Sequence, residues 1–197
     1  MTGKDPLKKY KEKRDFKSTP EPISSEKISN KPRFVVQKHN ASRLHYDFRL
    51  EVNGVLKSWA IPKGPSKDPR QKRLAVPTED HPIDYIDFEG IIPEGNYGSG
   101  TVIVWDIGTY NNNKTKDSKI IPIEKTIEDG HVDIELEGSK LKGEYALIRT
   151  GKGGRKFWLL IKKKDNEVDY GHDILIDRPE SVLSGQTIED IANIKND

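Results

Sequence analysis

Short apolar segments recur along the chain from residue 33 onward, and turn-forming residues separate them. The segments are RFVVQK, RLHYDFRLEV, VLKSWAI, KRLAVP, TVIVWD, HVDIELEG, LKGEYALIR and KFWLLIKK. The turn signals are NG at 53–54, PKGP at 62–65 and TGKGG at 150–154. Many short strands at this spacing, rich in β-branched and aromatic residues, predict a mainly β protein built as an antiparallel barrel or sandwich.

The two ends of the chain follow other patterns. Residues 1–32 mix Lys, Glu, Ser and Pro without a sustained period, which predicts an N-terminal arm that is partly irregular and free to fold over a site. We expect one helical turn in it, near Leu7 to Phe16. Residues 33–197 form the predicted β domain, and the stretch NNNKTKDSK at 111–119 is expected to be a surface loop.

The domain is expected to end in a short helix within SGQTIEDIANIKND. Thr187 is a suitable N-cap, and Ile188, Ile191 and Ala192 have the spacing of one helical face. Short helices of this kind would flank the β structure.

Alternation along residues 44–52 places two different sets of side chains on the two faces of one strand. The period of two puts Tyr46, Phe48, Leu50 and Val52 on one face. It puts His45, Asp47, Arg49 and Glu51 on the other. The first set predicts a core stripe, and the second is a row of groups able to bind a metal or a phosphate, held on a rigid element.

The same alternation in residues 33–39 brings a second histidine to this polar row. Gln37 and His39 share one face, and the NAS turn that follows lets His39 approach His45. Two imidazoles and the carboxylate of Asp47 suit Mn²⁺, Fe²⁺, Co²⁺ or Zn²⁺ and leave open positions for water and substrate. Arg49 beside them favours an anionic substrate, although the spacing is also typical of the solvent-facing side of an edge strand.

The other histidines give weaker signals. His131 lies on the outward face of HVDIELEG and His172 in the acidic stretch DYGHD, so both are predicted to lie at the surface. His81 precedes a proline in a predicted loop, which is compatible with a turn residue or with a site residue. The glycine-rich PEGNYGSG lacks the GK[ST] of a phosphate loop and precedes a strand, so it predicts a tight turn.

Composition narrows the class of protein. The 197 residues include no cysteine, and 32% are hydrophobic against 34% charged. Disulfides and cysteine-ligated metals are therefore excluded. No apolar run reaches the length of a membrane span or of a signal h-region, which leads us to expect a soluble intracellular protein without membrane contact.

Charge is segregated along the chain, although the net charge is only +2. Residues 1–75 carry 19 Lys or Arg against 8 Asp or Glu, and residues 139–164 carry 9 against 1. Positive blocks of this kind can form a face that binds phosphates, because the field is local and is screened within roughly 10 Å. They are equally compatible with a solvated lysine surface.

Several long strings resemble the 3′-phosphoesterase domain of DNA ligase D. They are FVVQKHNASRLHYDFRLEVNGVLKSWAIPKGPS, HPIDYIDFEGIIPEGNYGSGTVIVWDIGTY, RDFKSTPEP and PESVLSGQTIEDIA. The resemblance spans nearly the whole chain and implies a compact antiparallel β-barrel. We expect a free-standing form, because the length leaves no room for ligase or polymerase domains.

The resemblance also implies an activity and a set of residues. Such enzymes remove a 3′-terminal ribonucleoside from a primer strand by phosphodiester hydrolysis and then convert the resulting 3′-phosphate to a 3′-hydroxyl, during DNA end joining. The metal motif of the family falls on His39, His45 and Asp47, and Mn²⁺ is the usual metal, with Co²⁺ or Zn²⁺ as alternatives. The family's phosphate and active-site positions, with their supporting positions, fall on Arg49, Arg73, His81, Tyr85, Gln37, Lys63, Arg14, Asp15 and Glu21.

Two other functions fit parts of the pattern. A non-haem Fe(II) oxygenase would use His45 and Asp47 with His81 or His131 as third ligand, leaving His39 without a role. A non-catalytic nucleic-acid-binding module that recruits a ligase would use only the basic surface. For the enzyme, the expected partners are primer-template 3′ ends and, as separate proteins, a DNA ligase, a polymerase or a Ku-like end-joining protein.

Overall fold

Antiparallel pairing of sequential segments builds the fold. The computed structural model describes residues 5–23, 31–151 and 157–193. In chain order its strands are β1 Arg33–Asn40, β2 Leu44–Val52, β3 Val55–Ile61, β4 Arg73–Pro77, β5 His81–Pro82, β6 Gly90–Ile92, β7 Gly100–Asn112, β8 Thr115–Lys116, β9 Lys119–Ile120, β10 His131–Gly138, β11 Lys142–Thr150 and β12 Phe157–Lys162.

Eight of these strands close into an antiparallel β-barrel. Their order is β1, β2, β3, β4, β12, β11, β10 and β7, and β7 pairs back onto β1 to complete the circle. Strand β6 continues the sheet from β7, and β5 pairs with β3. Of the barrel and the sandwich that the sequence allows, the barrel is confirmed, and closure leaves few unpaired strand edges.

The barrel interior is filled by the apolar positions of each strand. On β2 the residues Tyr46, Phe48, Leu50 and Val52 all point inward, so the predicted alternation of this strand is confirmed. They meet large side chains from the facing strands, and the indole of Trp105 lies edge-on to the ring of Tyr46 with 5.5 Å between ring centroids. The opposite face of β2 is thereby fixed as the outer face of the barrel.

The helices are short and flank the barrel. They are α1 Lys8–Glu12, a 3-10 helix at Ile83–Asp87, α2 Ile123–Asp129, α3 Ile174–Asp177 and α4 Ile188–Asn193. The predicted cap of α4 is confirmed, because the hydroxyl of Thr187 accepts a hydrogen bond from the backbone N–H of Asp190 at 3.2 Å. Helix α1 lies within the predicted helical turn and is shorter than it.

A second apolar cluster lies against the outer face of the barrel. It is formed by Tyr10, Val35, Leu56, Ile83, Tyr85, Ile86 and Val104. Tyr10 is fully buried there, and its hydroxyl donates to the carbonyl of Pro22 at 2.7 Å. The polar row of β2 is consequently covered: Arg49 is only 3% exposed and Asp47 only 7%. This overturns the alternative of a solvent-facing edge strand.

Several local expectations are wrong. Residues 111–119 are not a simple loop, because β7 continues to Asn112 and the pair β8 and β9 forms an exposed hairpin with Asp117 and Ser118 at positive φ. His81 lies in the short strand β5 instead of a loop, since its backbone pairs with Leu56. Strand β6 and helices α2 and α3 were not predicted.

Two expectations concern the limits of the structure. The predicted turn at 150–154 lies partly outside the described residues, as do parts of both chain ends. Within the described ranges, no helix has the length and apolar character needed to cross a membrane.

Candidate metal centre

Two adjacent strands bring together the three residues predicted to bind a metal. His39 on β1 is the direct cross-strand partner of His45 on β2, and Asp47 follows two residues later on the same face. The Oδ2 atom of Asp47 lies 3.8 Å from Nδ1 of His39 and 3.6 Å from Nε2 of His45. Among the described residues, this is the only group of three or more possible ligands whose atoms converge in this way, with all of them within 4.8 Å of one another.

The remaining ring nitrogen of each histidine is held by a backbone carbonyl. Nε2 of His39 lies 2.9 Å from the carbonyl oxygen of Gly98, and Nδ1 of His45 lies 2.9 Å from that of Arg43. A carbonyl only accepts, so each of these nitrogens is the N–H donor of its ring. The unprotonated nitrogens then both face the carboxylate of Asp47, which is the arrangement of metal-ligating histidines.

The electrostatics of this group favour a positive charge at its centre. Burial would raise the pKa of Asp47, but the Arg49 guanidinium and the two imidazoles beside it hold it well below its usual range. Burial lowers the pKa of His45, and the Asp47 carboxylate raises it by more, so that it lies above the ordinary value. The site therefore draws in a proton or another cation between the imidazoles and the carboxylate.

Arg49 extends the row of polar groups beside the candidate ligands. Its guanidinium donates from Nη2 to Asp47 at 3.1 Å, from Nη1 to the hydroxyl of Ser58 at 2.9 Å and from Nε to Gln37 at 2.8 Å. The amide of Gln37 in turn donates to the carbonyls of Tyr85 and Phe88. This buried network fixes the guanidinium next to the pocket, so its position does not depend on a bound substrate.

His81 lies between two guanidinium groups. Its Nδ1 is 2.9 Å from Nη1 of Arg49, and its Nε2 is 3.4 Å from Nη2 of Arg14. Burial, Arg49 and Arg14 lower the pKa of His81 well below its ordinary value. The imidazole is thus neutral near pH 7 in the free protein, and an anion placed beside it would favour its protonation.

The N-terminal arm supplies the wall opposite the strands. Nε of Arg14 donates to Glu21 at 2.8 Å, and its Nη1 donates to Glu79 at 3.2 Å. The hydroxyl of Tyr85 donates to the same oxygen of Glu21 at 3.0 Å, and burial raises the pKa of Tyr85 well above its ordinary value. Two residues of the arm are therefore bonded to residues of the barrel domain at the base of the pocket.

These groups surround a pocket of about 280 Å³. Seven polar or charged residues of the barrel domain and one arm residue face it, together with two tyrosines. The lining consists of Arg14, His39, Ala41, His45, Asp47, Arg49, Ala60, Thr78, Glu79, His81, Tyr85, Ile92, Tyr97 and Gly98. The space suits a phosphate group with an attached sugar, and its lining offers cations and N–H donors to a phosphate.

Five of the predicted site residues are not among those that line the pocket. Arg73 has the strand parity of the buried core residue Ala75 and donates from Nη2 to Gln71 at 2.5 Å. Lys63 is exposed in the connection after β3, and Asp15 is exposed on the arm. Gln37 and Glu21 touch the pocket only through Arg49, Arg14 and Tyr85.

Several residues in and around the pocket were missed from the sequence. Glu79, Ser58 and Tyr97 bond directly to predicted site residues or stand beside them, and Tyr10 packs on the His81 ring with 5.1 Å between ring centroids. Glu79 is only two residues from His81 in TEDHP, so an acidic neighbour was a usable signal. Nothing in the sequence links Tyr10 to the pocket, because that contact depends on how the arm folds.

The ligand set expected for an Fe(II) oxygenase with His81 or His131 does not form in the described residues. His131 lies on β10 against Asp133, half exposed, and His81 is surrounded by arginines. His172 is exposed as predicted. The ligand set that does form includes His39, which the phosphoesterase resemblance implies as a metal ligand.

Comparison with known proteins agrees with the resemblance found in the sequence. The family described as DNA Ligase D 3′-phosphoesterase domain matches residues 37–149. The chain is 49% identical over 194 residues to the multifunctional non-homologous end joining protein LigD of Pseudomonas aeruginosa, covering 95% of this chain and 22% of that protein. It is 45% identical over 168 residues to the protein of the same name from Mycolicibacterium smegmatis, covering 83% of this chain and 21% of that protein.

A third relative is the multifunctional non-homologous end joining DNA repair protein LigD of Mycobacterium tuberculosis. The identity is 46% over 169 residues, which cover 83% of this chain and 21% of the relative. The chain thus spans about a fifth of the length of the curated relatives it matches.

Proposed function

The chain belongs to the DNA ligase D 3′-phosphoesterase domain family, and on that premise we propose that it is a metal-dependent hydrolase that heals 3′ ends of nucleic acid. The first step hydrolyses the phosphodiester that joins a 3′-terminal ribonucleoside to the primer strand and leaves a 3′-phosphate. The second step removes that phosphate and leaves a 3′-hydroxyl. The observation that carries the proposal is the convergence of two oriented imidazoles on Asp47 beside a buried arginine.

The donor set fits a divalent transition metal. Two imidazole nitrogens and one carboxylate can bind Mn²⁺, the metal that the family resemblance implies, and Co²⁺ or Zn²⁺ also accept such ligands. His39, His45 and Asp47 would hold the ion. The chemistry supplied by a divalent metal in such a site is withdrawal of charge from a phosphoryl oxygen and acidification of water.

Arg49 and Arg14 act on the charge of the phosphate. Both guanidinium groups are almost fully buried, with side-chain exposures of 3% and 4%. Charge–charge interactions are stronger in such an environment than in bulk water, so fixed cations stabilise the negative charge that grows on the phosphoryl oxygens during hydrolysis. Because hydrogen bonds to Gln37, Ser58 and Glu21 already hold them, little reorganisation is needed when the substrate enters.

His81 is suited to serve the leaving oxygen. Burial and the neighbouring arginines keep it neutral, and a phosphate group bound beside it raises its proton affinity. A protonated His81 would donate to the leaving 5′-oxygen in the first step or to the 3′-oxygen in the second. Tyr85 lies edge-on to His81 at 4.9 Å between ring centroids and holds the orientation of the ring.

The biological context follows from the names of the relatives. They are described as non-homologous end joining proteins, so we place this domain in DNA end joining, with primer-template ends as substrate. A DNA ligase, a polymerase and a Ku-like protein are the partners we propose for that process.

The test uses a 5′-labelled DNA primer that ends in one ribonucleotide and is annealed to a longer template. The protein is incubated with it in Mn²⁺ or in EDTA, and the products are separated on a gel before and after treatment with a separate phosphatase. We expect metal-dependent shortening by one nucleoside to a 3′-phosphate and then to a 3′-hydroxyl.

The outcomes separate the proposed function from its rivals. An intact primer with every metal tried, together with chelator-insensitive binding of the primer-template, would overturn the hydrolase and leave a binding module. Turnover that requires O₂ would instead identify an oxygenase. Product formation under anaerobic conditions excludes that chemistry.

A further inference from the structure

An aromatic side chain stands at the mouth of the pocket without a role in the chemistry above. Tyr97 lines the pocket, yet 49% of its surface is exposed. It lies in the turn PEGNYGSG, which the sequence pattern predicted only as a connection. A large aromatic surface left open beside a catalytic pocket is suited to contact a substrate group that projects from it.

Two sets of contacts hold this ring in place. The turn is closed by the hydrogen bond from Ser99 N–H to the carbonyl of Asn96 at 3.1 Å, with Gly95 and Gly98 at φ values of +84° and +74° that other residues rarely adopt. The turn is also tied to the arm, since the hydroxyl of Ser18 donates to Asn96 at 2.7 Å. The ring of Tyr97 therefore sits on a braced segment.

The hydroxyl end of the ring is fixed by a cation from the arm. Nζ of Lys13 donates to the hydroxyl of Tyr97 at 3.1 Å and to Glu79 at 2.9 Å, and it lies 4.4 Å from the ring centroid. Lys13 thus lies over the ring, and the guanidinium carbon of Arg14 lies 5.5 Å from the same centroid, while about half of the side chain stays exposed. The surface is preorganised, so little side-chain entropy is lost when a flat group stacks on it.

Tyr97 directly precedes a residue that orients a candidate metal ligand, and both line the same pocket. The next residue, Gly98, receives the hydrogen bond from His39, a candidate metal ligand. A nucleotide whose phosphate lies at Arg49 and the metal ligands thus has its sugar and base within reach of the ring. Base–aromatic stacking is tolerant of sequence, as an end-healing enzyme requires.

We propose that Tyr97 is the stacking platform of a nucleobase subsite and takes the base of the 3′-terminal nucleoside that is removed. The inference rests on the proposed function, since it assumes that a nucleotide phosphate occupies the pocket. Its ligand class is a purine or pyrimidine base, without preference among the four. Tyr97 is a binding residue here and takes no part in proton transfer.

The kinetic test compares three variants on three primer ends. Tyr97→Leu removes the aromatic face, Tyr97→Phe keeps it but loses the bond to Lys13, and Tyr170→Leu is the matched control. Tyr170 is also a half-exposed tyrosine, 55% accessible with Arg70 at 4.8 Å from its ring centroid, but it lies outside the pocket lining. The primer ends are a normal terminal ribonucleoside, the same end with an abasic ribose, and a 3′-phosphate.

We expect Tyr97→Leu to raise KM on the base-containing end by about 5- to 150-fold, because loss of one stack costs about 1–3 kcal/mol and each 1.4 kcal/mol is tenfold. On the abasic ribose and on the 3′-phosphate its KM should match that of the wild type. Tyr170→Leu should bind all three ends like the wild type, and Tyr97→Phe should raise KM on the base-containing end far less than Tyr97→Leu, because it keeps the aromatic face and loses only the bond to Lys13. An equal rise of KM on the abasic end, or no rise at all, overturns the stacking role.

A binding measurement separates this inference from the proposed function. A primer with 2-aminopurine as its terminal base is titrated with protein in EDTA, so that no turnover is required. Quenching of its fluorescence by the wild type and by Tyr170→Leu, but not by Tyr97→Leu, supports stacking even if the wild type cleaves nothing. A wild type that cleaves the primer but does not quench overturns the subsite and leaves the hydrolase intact.

Discussion

The carboxylate of Asp47 keeps its charge although the residue is 7% exposed. Burial alone would neutralise it, but Arg49 on one side and the two imidazoles on the other lower its pKa. The same charge raises the pKa of His45. The carboxylate and the imidazoles together therefore favour a positive charge between them.

A comparison within the molecule tests this cooperation. His45 and Asp47 are separated by one residue on β2, and His131 and Asp133 have the same spacing on β10, with Nε2 of His131 3.3 Å from Oδ2 of Asp133. Only the first pair has a second histidine opposite it. We expect His45→Ala to weaken Mn²⁺ binding by at least about 100-fold, since loss of even an outer partner of a ligand costs 10–100-fold.

The measurement is Mn²⁺ titration by calorimetry or electron paramagnetic resonance, with His131→Ala as the control. That control should bind Mn²⁺ like the wild type. Equal affinity of His45→Ala and the wild type would show that the three residues do not hold the ion. Circular dichroism checks that both variants keep the fold.

The sequence identified the members of this site that share one strand face. Alternation along β1 and β2 was sufficient to group His39, His45 and Asp47, because the period of two fixes which side chains are neighbours. The carbonyls of Gly98 and Arg43 that orient the rings were not predictable. They come from connections whose paths depend on tertiary packing.

At the scale of elements, the N-terminal arm takes a position that its own sequence pattern does not predict. Helix α1 has only five residues, so it has little intrinsic stability. It forms because Tyr10 packs into the apolar cluster outside the barrel and Arg14 pairs with Glu21 and Glu79. The helical turn was predictable from residues 7–16, but its docking over the pocket was not, since its partners are more than sixty residues away in sequence.

The C-terminal segment is fastened by a buried lysine on the connection between β10 and β11. The side chain of Lys140 has no exposed surface, and Nζ donates to the carbonyl of Arg178 at 2.9 Å and also to that of Glu180. The indole N–H of Trp105 donates to the same carbonyl of Arg178 at 2.7 Å. Burial lowers the pKa of Lys140 to about 8, from an ordinary value of 10.5.

This shift makes the stability of the segment depend on pH. Between about pH 8 and 10.5 the unfolded chain holds the Lys140 proton more tightly than the folded protein does. The contribution of this residue to the free energy of unfolding therefore increases as pH rises. The gain amounts to at most about 3 kcal/mol. We expect the stability advantage of the wild type over Lys140→Met to grow between about pH 7.5 and about pH 10.

Urea unfolding of both proteins across that range measures the difference. Lys164→Met, at an exposed position in the same basic block, is the control and should keep a constant difference from the wild type. Parallel stability profiles for Lys140→Met and the wild type would mean that the amine is not buried as described.

At the scale of the whole molecule, the barrel brings several cations of the basic block 1–75 to one of its ends. The connection from β1 to β2, the connection from β3 to β4 and the start of β7 all lie at one end, because the strands are antiparallel and Asn40 pairs with both Leu44 and Thr101. The pocket lining includes Ala41 and Gly98 from this end. Exposed cations on these connections include Arg43, Lys63 and Lys72, so part of the basic block 1–75 surrounds the proposed path of the nucleic acid.

The hairpin of β8 and β9 carries exposed cations away from the pocket end of the barrel. It follows the far end of β7 and carries the exposed Lys116 and Lys119. If nucleic acid lies along the pocket end, only the first group of cations contacts phosphates. We expect Arg43→Ala and Lys72→Ala each to reduce the slope of log affinity against log salt by about 1, since each phosphate contact contributes about 0.9.

The measurement is fluorescence anisotropy of a labelled primer-template at several salt concentrations, in EDTA so that binding is separated from turnover. Lys116→Ala and Lys119→Ala remove the same charge from the whole molecule and should leave the slope unchanged. Equal reductions by both pairs would mean that net charge, and not the location of these cations, governs binding. A slope that changes only with the pocket-end variants would place the duplex across the connections that frame the metal centre, because screening confines each charge to a range of roughly 10 Å.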